Sequence, residues 1–272
     1  SSWQEDVLTE LLPLIAFLRF PFAKETPEGH NKRAKLAREI MSRLGLSIKL
    51  MADLPGGKPR LGNEAPVEVL NDRDYSVSFI GPDTSTDFFV LPGLSRSALM
   101  RGSHVSIGDG ENTSVVTTVN DGIAHGRFSA SGLLERKRAF IPTESSARIP
   151  SFTDFDKELA RHAQAGGFDS IALSFVNSAD DVHEAREWLK QELNWEPYLI
   201  AKIETSGAVQ NAEEIARASD AVMVARGDLA VQGGFHNLWR LQQETLRACQ
   251  AVGTYAIVAT GFLESLHTNS FP

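Results

Sequence analysis

The segment YLIAKIETSGAVQNAEEIARASDAVMVARGD, residues 198–228, decides the fold class of this 272-residue chain. Tyr198–Ile203 and Ala221–Ala225 are apolar runs of strand length, and the residues between them have helical periodicity over about three turns, with Val209 and Ile215 on the apolar side. Continuous apolar strands are typical of parallel sheets that are covered on both faces. The segment therefore predicts a βαβ unit of an α/β fold.

Charged side chains follow both of these strands. Lys202 and Glu204 end the first strand, and Asp228 comes shortly after the second. The carboxyl ends of parallel strands meet at one edge, which is where barrel enzymes place their chemistry. Glu204 and Asp228 could hold Mg²⁺, which accepts one or two carboxylates and fills its other positions with water or substrate oxygens. Lys202 would then contact an anionic substrate bound to that ion. The spacing alone is equally compatible with a structural role, in which these charges form salt bridges at the barrel rim.

The strand-end segments resemble those of a known protein family. IAKIE followed by MVARGDLAV is similar to the metal and substrate segment of pyruvate kinases, and other family segments follow in the expected order: FLRFPFAKETPEGH from Phe17, MADLPGGKPRLG from Met51, GFDSIALSFVNSADDV from Gly167 and YAIVATGFLESL from Tyr255. The resemblance implies a TIM-type (β/α) barrel with an inserted small antiparallel β-barrel that acts as a mobile lid. It also implies an Mg²⁺-dependent (or Mn²⁺-dependent) phosphotransferase that converts phosphoenolpyruvate and ADP to pyruvate and ATP.

The resemblance assigns roles to residues that match the family's motifs. It implies that Lys202 stabilises charge on the transferred phosphoryl group, that Thr260 contacts the substrate near the delivered proton, and that Arg19 helps bind phosphate in catalysis. Without it, Arg19 would be a surface arginine, Thr260 a helix N-cap and Lys137 part of a solvated basic cluster. The remaining expected contacts are Ser174, Ala225, Arg226, Gly227 and Asp228 for the substrate, and Arg19, Arg60 and Lys137 for the nucleotide.

The sequence departs from the family pattern at a monovalent cation site. Pro21 and Ala23 stand where the family has Asn and Ser, whose oxygens are ligands of K⁺. Lys58 falls where potassium-independent members tend to have lysine, and Asp53 belongs to the same site. Because a fixed ammonium can supply the positive charge of a bound ion, we expect Lys58 to substitute for K⁺ and no K⁺ to be required.

Further departures keep other functions open. Lys24, Gln232 and Gly261 replace a histidine, a glutamate and a glutamine of the family pattern. One alternative is a divergent enzyme that uses Mg²⁺ and Lys202 for enolate chemistry on another 2-oxo acid, as a lyase or a biosynthetic enzyme. The other is a catalytically silent homologue that uses the fold to bind partners.

Residues 64–142 change character, because short alternating runs there are separated by Gly and Pro turn signals. We expect them to form the lid, with residues 1–63 and 143–272 as the two parts of the barrel. The barrel is expected to be incomplete, without the family's first and last strands and its carboxy-terminal regulatory domain. Open sheet edges invite pairing with another chain. Three explanations stay open: the sequence is part of a longer protein, a second copy completes the barrel, or the barrel is trimmed and open. The second of these predicts a homo-oligomer. The predicted barrel strands end near Arg19, Asp53, Ser174, Glu204, Arg226 and Thr260.

Composition narrows the class of partner. A net charge of −8 argues against a broad surface for nucleic acid or anionic membrane. The single cysteine, Cys249, cannot form an internal disulfide, and neither a long apolar run nor a signal-peptide pattern is present. We therefore expect a cytoplasmic protein whose partners are small molecules, phosphoenolpyruvate or another 2-oxo acid together with ADP or ATP, and not nucleic acid or membrane.

Overall fold

The first part of the chain builds two neighbouring parallel strands with a helix between them. The computed structural model describes residues 3–63, 65–108, 110, 112–143 and 148–262. The elements of this part are α1 (Glu5–Leu11), a 3₁₀ turn (Leu12–Leu14), β1 (Phe17–Pro21), α2 (Pro27–Leu44) and β2 (Lys49–Asp53). The hydroxyl of Thr26 accepts the Gly29 N–H at 3.2 Å to begin α2. The helix ends at Gly45, whose φ of 66° is a left-handed conformation that suits glycine.

The middle of the chain forms a separate small sheet. Its strands are β3 (Arg60–Leu61), β4 (Val67–Val69), β5 (Asp74–Ser78), β6 (Phe88–Leu91), β7 (His104–Ile107), β8 (Asn112–Asn120), β9 (Ile123–Phe128), β10 (Gly132–Leu134) and β11 (Phe140–Pro142). Seven of them lie in the order β11-β7-β8-β9-β5-β6-β3, while β4 pairs with β10. The N–H groups of Leu61 and Phe140 donate to the carbonyls of Arg138 and Pro59 at 2.8 and 2.9 Å. These bonds join the two edges and close the small sheet into a barrel.

The prediction of a wholly antiparallel inserted barrel is wrong at one pair of strands. β5 and β6 run parallel, with Val77 opposite Phe88, whereas the other strand pairs of the small sheet are antiparallel. Parallel neighbours cannot be joined by a tight hairpin, because the chain must first return to the start of the previous strand. Residues 79–87 make that return.

The last part of the chain returns to alternating helices and strands. Its elements are α3 (Asp154–Ala165), β12 (Ser170–Leu173), α4 (Ala179–Leu193), β13 (Tyr198–Ile203), α5 (Ser206–Gln210), α6 (Ala212–Ala218), β14 (Ala221–Ala225), α7 (Arg226–Gly233), a 3₁₀ turn (Phe235–Asn237), α8 (Leu238–Val252) and β15 (Tyr255–Ala259). The single helix predicted between β13 and β14 is instead two short helices that meet at Asn211, whose φ and ψ are −98° and 11°. The Asn211 side-chain amide donates to the Asn177 carbonyl at 2.8 Å, which ties the junction of the two helices to the segment before α4.

The large sheet is parallel throughout and curls into a nearly closed, partial TIM-type barrel. Its strands lie in the order β1-β2-β12-β13-β14-β15. Met51, Ile200 and Met223 form an inner cluster, and Phe17 of β1 and Ile257 of β15 pack against the same cluster from the two ends of the sheet. All strands therefore present their carboxyl ends at one rim. Within the described residues, no helix has both the length and the apolar character that crossing a membrane requires.

Candidate active site

A cavity of about 1050 Å³ opens at the carboxyl ends of the large sheet, between that sheet and the inserted one. Its walls include every residue to which the sequence assigns a catalytic, substrate, nucleotide, metal or cation role. These residues are Arg19, Asp53, Lys58, Arg60, Lys137, Ser174, Lys202, Glu204, Ala225, Arg226, Gly227, Asp228 and Thr260. The fold thus brings together side chains that are distant in sequence.

A second cavity, of about 900 Å³, adjoins the first through Arg60, Arg136 and Lys137. Its walls are mostly apolar and contain neither Lys202 nor the two carboxylates predicted to hold a metal. The chemistry therefore places the candidate active site in the larger cavity.

Lys202 is the buried centre of the site. Its side chain extends from β13 and is only 7% exposed. Nζ lies 3.0 Å from Glu204 Oε1 and 3.2 Å from Asp53 Oδ1, and it donates to Ser174 Oγ at 2.7 Å. The Ser174 hydroxyl in turn donates to the Leu54 carbonyl at 2.6 Å. The lysine is therefore fixed by groups at the ends of three neighbouring strands.

Charge keeps this lysine protonated. Burial alone would lower the pKa of Lys202, but the nearby charges of Glu204 and Asp53 outweigh it and the pKa is raised. Lys202 is thus a permanent cation at neutral pH, suited to stabilising negative charge and unsuited to acting as a base.

Glu204 and Asp228 are neighbouring carboxylates in the cavity. Glu204 is 1% exposed, and it accepts the Phe175 N–H at 2.7 Å. Desolvation raises the pKa of Glu204, Lys202 opposes the rise, and the charge of Asp228 raises the pKa further. Two carboxylates that repel each other are a donor set that fits a hard divalent cation.

The carboxylate pair has limited protein support for a metal. In the described ranges, no three His, Cys, Asp or Glu side chains gather closely enough to hold a metal ion by themselves. A cation on Glu204 and Asp228 would therefore take its remaining oxygens from water or substrate, as Mg²⁺ does in phosphate-handling enzymes.

Asp53 and Lys58, which the sequence predicts to replace a monovalent cation site, both form ion pairs within the protein. Arg19 Nε donates to Asp53 Oδ2 at 2.6 Å, so Asp53 is shared between Arg19 and Lys202. Lys58, which we expected to act beside Asp53, instead forms its ion pair with Asp228 at 2.6 Å. Pro21 also lines the cavity, without a side-chain oxygen.

Two residues at strand ends have unusual backbone conformations. Phe175 and Thr260 have φ values of 54° and 76°, which non-glycine residues rarely adopt. The conformation of Phe175 accompanies the bond from its N–H to Glu204, and Thr260 lies close enough to Gly227 that a Cβ added there would be 3.4 Å from Thr260 Cγ2. Strain of this kind, of order 1–3 kcal/mol per residue, concentrates at functional sites. Sequence reasoning did not find the Phe175 N–H as an anchor, because a backbone donor has no residue-type signature.

The first turn of α7 provides donors for an anion. The N–H groups of Arg226, Gly227 and Asp228 lie at the start of this helix, where backbone donors lack intrahelical partners. Arg226 Nε is buried without a hydrogen-bond partner in the described structure, and its guanidinium lies 4.6 Å from the ring centroid of Phe262. These groups could bind a carboxylate or a phosphate.

The inserted sheet contributes cationic side chains to the cavity and lies over part of it. Arg60 Nη1 donates to the Lys137 carbonyl at 3.0 Å, so both residues lie where the chain crosses between the two sheets. At the far end of the inserted sheet, a Cβ added at Gly110 would lie 3.4 Å from Phe235 Cε2. The inserted sheet therefore reaches across the cavity to the connection between α7 and α8.

A family model and curated relatives of similar sequence all point to the same protein family. The family model for the pyruvate kinase barrel domain matches residues 4–272. The pyruvate kinase of Chlamydia trachomatis serovar L2 is 30% identical over 258 residues, which are 93% of this chain and 53% of that protein. That of Thermococcus litoralis is 29% identical over 294 residues, which cover 100% of this chain and 58% of that protein. The chain spans about half the length of these curated relatives.

A solved structure is also similar. The crystal structure of pyruvate kinase from Pyrobaculum aerophilum superimposes with a TM-score of 0.88 at 25% sequence identity. The match covers 99% of this chain and 60% of that one.

Proposed function

This chain belongs to the pyruvate kinase family, and from that premise we propose that it transfers the phosphoryl group of phosphoenolpyruvate to ADP, giving pyruvate and ATP. The observation that carries the proposal is the buried Lys202 ammonium, 3.0 Å from Glu204, in a cavity that Asp228 also lines. A fixed cation beside two carboxylates matches the needs of phosphoryl transfer, in which catalysis is mostly positioning and charge stabilisation.

Glu204 and Asp228 are the residues that would hold Mg²⁺ or Mn²⁺. When bound there, the cation supplies Lewis-acid stabilisation of negative charge on substrate oxygens. The raised pKa of Glu204, caused first by desolvation and also by Asp228, supports this assignment, because a cation would relieve both effects.

Lys202 stabilises negative charge on the phosphoryl group during transfer and then on the enolate oxygen. Ser174 and Asp53 hold the ammonium in place before the substrate arrives, so no reorganisation is needed at the moment of reaction. Arg19, Arg60 and Lys137 neutralise the phosphates of the nucleotide.

The substrate carboxylate binds the N–H groups of the first turn of α7. The bond between the enol oxygen and phosphorus breaks while a β-phosphate oxygen of ADP bonds to that phosphorus. The resulting enolate takes a proton at its terminal carbon from water, and the Thr260 hydroxyl orients this water. The inserted sheet excludes bulk solvent from the cavity during these steps.

Lys58 makes K⁺ unnecessary in this proposal. Pro21 and Ala23 line the cavity but have no side-chain oxygen for a monovalent cation, and Lys58 provides a positive charge in the same cavity. The reaction is therefore independent of K⁺.

A second candidate is enolate chemistry on another 2-oxo acid. It is favoured by Pro21, Ala23 and Lys24, which change the cavity wall at family motif positions and leave Lys202 and the carboxylate pair intact. Arg60→Ala separates the two candidates, since it should impair only a reaction that uses a nucleotide.

The test is a coupled assay for pyruvate with phosphoenolpyruvate, ADP and Mg²⁺, run on the full chain with and without K⁺. We expect turnover in K⁺-free buffer and its loss in Lys202→Met. A folded protein that binds Mg²⁺ and makes no pyruvate would contradict the kinase function. A steep rise in rate on adding K⁺ would contradict only the proposal that Lys58 replaces K⁺, and the kinase function would stand.

A further inference from the structure

Lys58 binds a carboxylate that the proposed function assigns to the metal. Its Nζ lies 2.6 Å from Asp228 Oδ1, and the two side chains are only 11% and 24% exposed. An ammonium this close to a carboxylate oxygen excludes a second cation from that oxygen by volume and by charge repulsion. We propose that Lys58 is an internal counterion that must leave Asp228 before a divalent cation can bind, so that it sets the cation affinity of the site. This inference rests on the metal site of the proposed function.

The charges around the site explain why a counterion is needed. Lys202 is already shared between Glu204 and Asp53, at 3.0 and 3.2 Å. Asp228 would otherwise add an uncompensated negative charge beside Glu204 in the cation-free protein. Lys58 supplies the missing charge.

The backbone around Lys58 is anchored, so the exchange is a side-chain movement. The Gly56 N–H donates to the buried Asp156 at 3.0 Å, and the Gly57 N–H donates to the Pro150 carbonyl at 2.8 Å. On the other side, the Pro59 carbonyl accepts the Phe140 N–H at 2.9 Å. Between these fixed points the flexible four-carbon stem of Lys58 can swing away from Asp228 without a rearrangement of the segment.

The released ammonium remains in the cavity, which binds anions in the proposed function. Cation loading would therefore free a positive charge for the phosphate of the substrate. The cation and the substrate would each favour the state in which Lys58 has left Asp228, and their binding would be cooperative.

The test is a titration of the wild-type protein, Lys58→Met and Lys24→Met with Mn²⁺ alone. Electron paramagnetic resonance measures the concentration of free Mn²⁺ at each point of the titration. Lys24 lines the same cavity, and the described structure shows no ion pair between it and either carboxylate. Both variants remove one positive charge from the cavity, but only Lys58→Met removes the competitor. We expect the Kd for Mn²⁺ to fall by about tenfold or more in Lys58→Met and by no more than about twofold in Lys24→Met.

The outcomes separate this inference from the proposed function. Equal or weaker Mn²⁺ binding by Lys58→Met, or an equal gain in both variants, would overturn the inference and leave the metal site standing. Absence of Mn²⁺ binding in every protein would overturn the metal site and the inference with it. Introducing Asp228→Asn into both the wild-type protein and Lys58→Met should abolish the difference in Mn²⁺ affinity between them, and Lys58→Gln makes the same comparison if Lys58→Met does not fold.

Discussion

Three cationic side chains and three carboxylates in the cavity neutralise one another. Arg19, Asp53, Lys202 and Glu204 form a continuous chain of alternating charge, and Lys58 with Asp228 forms a separate pair. Such an arrangement is balanced without a metal. A bound divalent cation would add positive charge that an anionic substrate can neutralise, which favours a cavity that loads both together.

Lys202→Met should damage both stability and turnover. The substitution leaves Glu204 and Asp53 buried beside an apolar side chain, and loss of one partner from a buried ion pair costs about 3–5 kcal/mol. Chemical denaturation in EDTA should show this loss, and Mg²⁺ should restore part of it. Pyruvate formation should fall by at least about 10²–10³-fold, as when a group that stabilises developing charge is removed.

The matched control is Lys137→Met, because Lys137 is exposed and lies outside the buried network. Its free energy of unfolding should stay within about 0.5 kcal/mol of the wild-type value. Unchanged stability of Lys202→Met in EDTA would contradict the network described here.

At the level of elements, the contact between α2 and β1 contains a buried histidine. His30 is 1% exposed, and its ring stacks on Phe22 with centroids 4.5 Å apart and meets Phe20 edge-on at 6.0 Å. Burial lowers the pKa of His30 below its ordinary value of 6.5, although Glu25, 3.8 Å away, partly opposes this. The helix therefore packs on the strand with a neutral imidazole.

The pH dependence of stability should follow from this burial. Because the pKa is lower in the folded state, the neutral ring stabilises the fold above pH 6.5, and this contribution is lost as the pH falls below that value. His30→Phe keeps an aromatic ring and removes the titration. The decrease in Tm between pH 7.5 and pH 5.5 should be smaller in the variant than in the wild-type protein, as measured by calorimetry. An equal decrease in both would show that His30 does not contribute.

The whole molecule has separate hydrophobic cores in its two sheets. One core lies between the large sheet and its helices and includes Leu173, whereas the other fills the inserted sheet and includes Phe79 and Phe140. The two crossing segments of the chain pair with each other next to Arg60 and Ala139. Opening of the inserted sheet therefore need not disturb the core of the barrel.

Phe79→Ala should destabilise the inserted sheet selectively. Phe79 is fully buried, and truncation of such a side chain costs about 3–5 kcal/mol. Scanning calorimetry should show a transition that moves to lower temperature and another that stays in place, whereas Leu173→Ala should move the latter. Mn²⁺ binding should survive in Phe79→Ala, because Glu204 and Asp228 lie on the barrel. Turnover should fall, because the destabilised inserted sheet no longer excludes solvent from the cavity. A single transition that shifts as a whole would contradict the separation of the cores.

The prediction of the barrel strands succeeded where the signal is local. The apolar runs that end at Ile203 and Ala225 are strands with those bounds, because a strand covered on both faces needs apolar residues throughout. The errors arose where distant contacts decide the structure. The predicted helix is divided at Asn211, whose side chain bonds to the distant residue 177, and the parallel β5–β6 pair depends on the return path of residues 79–87.

The sequence by itself determined the fold class, the family and the residues that line the cavity, because apolar periodicity and strand-end motifs are properties of short segments. Only the tertiary structure decided which charge neutralises which. Arg19 meets Asp53 across 34 positions, and Lys58 meets Asp228 across 170. A direct ion pair needs its nitrogen and oxygen within about 4 Å of each other, so the choice of partner among many charges depends on how the strand ends are placed in space.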